Sequence, residues 1–101
     1  MFVILSSKPG QFHTEPGPGP GLEPLEAWDY RFAGKLRARF VIAKLLNETR
    51  ITITEDEPPH VVNKVPTKFL PRFATLQAAR DELAQLTRHR GADTTLDLAN
   101  P

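Results

Sequence analysis

The chain has 101 residues, 40% of them apolar and 25% charged, with 13 basic against 12 acidic side chains and a formal net charge of +1. That length allows one domain with one modest core, and so even a charge gives no argument for a polyanion or a membrane surface. Cysteine is absent, which excludes disulfides, thiolate metal sites and cysteine nucleophiles.

Phe2–Ser7, "FVILSS", is apolar and β-branched and predicts a strand. The opening residues lack the basic region of a secretory leader, and no apolar run is long enough to span a bilayer. A cytoplasmic protein of bacterial style is expected. Pro9-Gly10 suits a type II turn, with proline fixing φ and glycine taking a positive one. Gln11–Glu15 returns as a short strand. Residues 8–24 as a whole read as a Pro/Gly-rich loop. Within it Pro16, Pro18 and Pro20 alternate with glycine, which removes alternate backbone donors, so no regular structure is assigned there.

Glu26–Phe32 alternates, with Trp28, Tyr30 and Phe32 on one side and Asp29 and Arg31 on the other. Leu36–Ile42 alternates too, Leu36, Ala38, Phe40 and Ile42 opposing Arg37, Arg39 and Val41. A two-residue loop sets Tyr30 against Arg37 and Trp28 against Arg39. A three-residue loop, Ala33–Lys35, sets Phe32 against Leu36, Tyr30 against Ala38 and Trp28 against Phe40. Only the second gathers the apolar set on one face, because a one-residue slip flips every side chain. It also places Arg31 opposite Arg37 and Arg39 near Asp29. A 3.6-residue period through Leu36, Phe40, Ala43 and Leu46 offers a helix instead, but the alternation continuing from Trp28 favours the strand. Arg50–Glu55, "RITITE", predicts the next strand, closed as a hairpin by Asn47-Glu48 or Asn47–Thr49.

Beyond Ile42 the pattern changes. Val41, Ala43 and Leu45 are apolar on the face that carried arginines, so this end of the strand needs a cover on both sides, the second being the Pro/Gly loop or another chain. "EDEPP", Glu55–Pro59, ends the strand. Val61–Val65 predicts an edge strand bounded by Pro66, and Thr67–Phe73 an extended arm bearing Phe69 and Leu70. Thr75 is an N-cap before the helical stripe Leu76, Ala79, Leu83, Leu86. Arg80, Asp81, Glu82, Gln85 and Arg88 form its solvated side. Arg88, His89 and Arg90 suit the last turn and Gly91 the stop. Residues 92–101 read as a polar tail with Leu96 and Leu98 as tethers.

These elements predict an α+β domain over residues 1–91: four or five mainly antiparallel strands with one C-terminal helix on one face. A small open barrel with a helix is the alternative. No catalytic, cofactor-binding or metal-binding residues are expected. His13, His60 and His89 are far apart in sequence, the Glu55–Glu57 carboxylates lack calcium-loop spacing, and prolines deny the Pro/Gly loop the N–H groups a phosphate cradle needs. The expected role is that of a small accessory subunit of a larger cytoplasmic enzyme assembly, acting through protein contacts. Val41, Ala43 and Leu45, the arm residues Phe69 and Leu70, and Pro16, Pro18 and Pro20 would meet the larger subunits. Stiff proline arms lose less entropy on docking than flexible ones. The alternative is a nucleic-acid or polyanion module gripping with Arg31, Arg37 and Arg39.

Overall fold

A computed structural model describes residues 1–17, 19–87 and 93–99. Among the described residues seven strands and one α-helix follow in chain order. The strands are β1 (Phe2–Ser7), β2 (Phe12–Pro16), β3 (Leu22–Phe32), β4 (Lys35–Leu45), β5 (Arg50–Glu55) and β6 (Val62–Pro66). A short 3-10 turn (Thr67–Phe69), α1 (Leu76–Leu86) and β7 (Thr94–Ala99) are the remaining described elements. The fold is α+β with wholly antiparallel pairing, and neither sheet closes into a barrel. The strands divide between two sheets, one of four in the order β1-β4-β3-β7 and one of three in the order β2-β5-β6.

The β3–β4 hairpin shows how sequence becomes register. Trp28 opposes Phe40 and Tyr30 opposes Ala38, as the apolar pattern requires. The loop itself has two residues, Ala33 and Gly34, with φ of 51° and 77°. Both are positive, as a type I′ turn demands. A bulge at Arg37 restores the count, so Arg31 faces Leu36 rather than Arg37 and Phe32 faces Lys35. The expected Arg31–Arg37 pair therefore does not form.

β3 begins at Leu22, inside the stretch read as loop. Pro24 is tolerated because it lies at a bulge, before pairing with β7 starts at Ala27. Of the described residues between β2 and β3, only Gly17 and 19–21 lie outside a strand, and Gly17 and Gly21 lie against the start of β5 and the β4–β5 connection. Gly17 donates to the Arg50 carbonyl at 3.0 Å, and a Cβ at Gly17 would sit 2.2 Å from that oxygen.

β4 and β5 do not form the expected hairpin. Residues 46–49 carry the chain from the larger sheet into the smaller one, where β5 pairs with β2 and β6. This crossing answers the two-sided apolar pattern of β4. One core joins Val3, Leu5, Leu22 and Ala43 to Ile51 of β5, with Val41, Leu45, Val65 and Leu70 packed around it. The other, across the sheet, joins Ile42 to Ala79 and Leu83 of α1, with Ile4, Trp28, Phe40 and Leu96 around it. The helix covers one face of the larger sheet and the smaller sheet covers part of the other.

Helix α1 starts as expected, with the Thr75 hydroxyl accepting from the Ala78 N–H at 3.0 Å. It ends at Leu86, and the Thr87 hydroxyl donates to the Leu83 carbonyl at 2.6 Å. Arg88–Gly91, read as the basic last turn and stop, lie outside the described residues. The helix is not the last element, because the stretch read as a polar tail supplies β7, which pairs with β3 from Ala27 to Phe32. The 67–73 arm is not free either. Phe73 exchanges two backbone hydrogen bonds with Phe2, at 2.8 and 2.9 Å. Buried Thr67 accepts from the Thr49 N–H at 2.9 Å and donates to the Thr49 carbonyl at 3.1 Å.

Candidate functional site

Two surfaces carry chemistry: the charged half of the larger sheet that the smaller sheet leaves uncovered, and a groove beside α1. On the charged half, β3 and β4 place Asp29 directly opposite Arg39, and β7 places Asp97 opposite Asp29. Arg39 Nε lies 3.7 Å from Asp29 Oδ1 and Arg31 lies 3.5 Å from Asp29 Oδ2. Arg31 also reaches Asp97 at 3.7 Å. Two arginines and two aspartates thus alternate across three strands. Arg37, displaced by its bulge, instead sits with its guanidinium 5.8 Å from the centre of the Phe32 ring. The three arginines expected to act together are therefore split, two neutralised and one turned away.

The groove lies where the end of β1, the β3–β4 hairpin and the C-terminal end of α1 meet. Its wider part, about 510 Å³, is lined by Phe40, Ala38 and Leu86 with Tyr30, Lys8 and Arg37. Ser6 and Leu86 also line a narrower part of about 310 Å³, continued by Ile4, Leu70, Phe73 and Glu82. Lys8 and Arg37 have no ion-pair partner among the described residues. Leu86 is 60% exposed at the groove rim. An apolar floor with two cations at one end fits an apolar group that carries an acid.

The residues expected at a partner interface have divergent fates. Ala43 is buried and Val41 and Leu45 pack beneath the smaller sheet, so the chain itself supplies the cover these residues required. Leu70 packs at the margin of the same core. Phe69 is 69% exposed, with Lys68 Nζ 5.2 Å from its ring centre. Pro16 and Pro20 are exposed, and Pro18 lies outside the described residues.

The structure also joins groups that sequence spacing kept apart. His13 Nδ1 lies 2.9 Å from Asp56 Oδ1, and His13 Nε2 lies 3.6 Å from Glu15. The pair is a surface contact between β2 and the end of β5. His60 sits apart from it, its Nδ1 3.2 Å from the Glu55 carbonyl. Among the described residues no three His, Asp or Glu side chains are grouped to hold a metal ion, and no helix is long and apolar enough to cross a membrane. The Ser7 hydroxyl accepts from the Thr14 N–H at 2.9 Å. Sequence reasoning missed the groove because its walls come from β1, β3, β4, α1 and the 67–73 segment, which are far apart in the chain. The sole local signal was Leu86, the last apolar residue of the helical stripe. No protein-family model, no curated protein and no solved structure matches the chain.

Proposed function

We propose that the protein is a small non-catalytic accessory subunit of a larger cytoplasmic enzyme assembly, working by protein–protein contact. One observation supports this reading: the groove beside α1 is apolar along its floor, rimmed by exposed Leu86, and ends at Lys8 and Arg37. Exposed Phe69 adds a second apolar contact on the 67–73 segment. Such anchors are the kind that interfaces bury at their centres. The polyanion reading is weakened because Arg31 and Arg39 face Asp29 and Asp97. It keeps Lys8, Lys35 and Arg37, which carry no acid partner among the described residues.

Native mass spectrometry of the protein tagged in its own cell tests the role. Wild type should carry larger subunits, and Leu86→Glu or Phe69→Ala should release them while circular dichroism stays unchanged. Steeply salt-dependent binding of the isolated protein to single-stranded nucleic acid, lost in Lys8→Glu/Arg37→Glu, would favour the polyanion reading. A chain that emerges without any other protein or nucleic acid would refute both.

A further inference from the structure

Every sheet edge presents outward N–H and C=O groups that need partners, and native proteins blunt such edges. Among the described residues the two sheets have four edges: β1, β7, β2 and β6. Three are blunted. Along β2, Phe12 exchanges both backbone bonds with Lys8 at 2.9 and 3.0 Å. Thr14 donates to Ser7, and Pro16 has no N–H to offer. On β1, Phe2 is bonded twice to Phe73, and the Ser6 carbonyl accepts from the Thr14 hydroxyl. On β6 the outward residues are Val62, Lys64 and Pro66, so the edge carries a charge and lacks a donor at its end.

β7 has neither a charge nor a proline among its outward residues, and its one charge, Asp97, is paired with Arg31 of β3. Ala33 donates to the Asp93 carbonyl at 2.8 Å, which sets the phase: Thr95, Asp97 and Ala99 turn their backbone groups to β3. Thr94, Leu96 and Leu98 turn theirs outward, and these six groups have no partner among the described residues. Leu98 is 63% exposed beside them.

We propose that β7 pairs antiparallel with β7 of a second copy of this chain, joining two four-stranded sheets into one of eight strands about a twofold axis. This inference is independent of the proposed role. The carboxylates select the register. With Leu96 on the axis, Leu96 meets Leu96 of the second copy and Thr94 meets Leu98. On the opposite face Asp97 then meets Thr95. A shift of one pair in one direction sets Asp97 against Asp97, and in the other direction sets Asp97 against Asp93. Like charges directly opposite destabilise a pair of strands, so only the central register is free of repulsion. The axis stands perpendicular to the sheet, so both helices lie on the same side of the joined sheet.

The test uses the full chain, whose lack of cysteine keeps introduced thiols unambiguous. Sedimentation equilibrium over about 1–100 μM should show a mass of two chains. Thr95→Asp should weaken the dimer by about tenfold or more, since it sets two carboxylate pairs face to face. It leaves the monomer sound because residue 95 lies opposite Arg31 of the same chain. Thr95→Asn, which sets no charge against Asp97 of the second copy or Arg31 of its own chain, should preserve the dimer. Facing residues in a hydrogen-bonded antiparallel pair lie about 5.5 Å apart at Cα, within disulfide reach. A mixture of Thr94→Cys and Leu98→Cys chains should therefore form a covalent heterodimer on oxidation, and neither variant alone should cross-link. A monomer throughout the concentration range would overturn the proposal. So would a dimer indifferent to Thr95→Asp with no cross-link in the mixture, because its contact would lie elsewhere.

Discussion

Arg80 of α1 grips Glu26 of β3 with two nitrogens: Nε donates to Oε1 at 2.9 Å and a terminal nitrogen donates to Oε2. Trp28 Nε1 donates to the same Oε1 at 3.2 Å. The pair fixes the helix across the larger sheet at a point where Ala79 and Leu83 already bury their side chains. Arg80 reads from sequence as part of the solvated side of α1, yet its partner lies 54 residues away.

This pairing makes helix docking sensitive to acid. The hydrogen bond from Arg80 holds the Glu26 carboxyl below the ordinary carboxylate range, aided by Trp28 and by the charge of Arg80, while partial burial opposes them. A carboxylate with a depressed folded pKa contributes stability above its unfolded pKa and loses it as pH falls through the folded one. Glu26→Gln should therefore lower the urea midpoint at neutral pH, and the deficit should shrink as pH is taken from about 7 to about 3. A constant deficit at every pH would show that the charge of Glu26 is not the cause.

The helix itself gives a paired prediction. Thr75→Ala removes the N-cap bond to Ala78 and should cost about 1 kcal/mol. Leu83, 1% exposed, should cost about 2–5 kcal/mol as Leu83→Ala, through lost transfer energy and the cavity left behind. Urea melts of both variants measure the difference, and equal small effects would contradict the packing of α1.

Ala33 occupies a left-handed conformation, φ 51°, at the first position of the β3–β4 turn. An alanine there is strained by about 1 kcal/mol, and asparagine is favoured at this position of a type I′ turn. Ala33→Asn should raise the thermal midpoint of unfolding. A lowered midpoint would argue against this turn type.

Thr67 is 0% exposed and satisfies both backbone groups of Thr49. Thr67→Val keeps the shape but strands the Thr49 N–H, so a loss of about 1–3 kcal/mol is expected. Hydrogen exchange at the Thr49 amide should accelerate more than at Ile51. Unchanged exchange there would mean that the bond is not formed in solution.

The sequence by itself determined the local elements wherever one periodicity dominated. "FVILSS" and "RITITE" fold as the two strands they spell, and Thr75 starts the helix it caps. The Trp28–Phe40 register followed because one side-chain face had to collect the apolar residues. The apolar far end of β4 correctly demanded two covers.

What the sequence could not state was which segment provides the second cover. Strand pairing is made by backbone groups that every residue shares, so composition does not say whether β5 returns to β4 or leaves for another sheet. Only the tertiary structure sends Ile51 and Val65 over Ala43, and so turns Val41, Ala43 and Leu45 into core. It alone draws "TTLDLA" into β7, because Leu96 finds an apolar face only once α1 and β3 are in place. Charge follows the same logic. Asp29, Arg31, Arg39 and Asp97 are ordinary polar residues until three strands bring each aspartate within 4 Å of an arginine, and that juxtaposition cancels a basic face the sequence had offered.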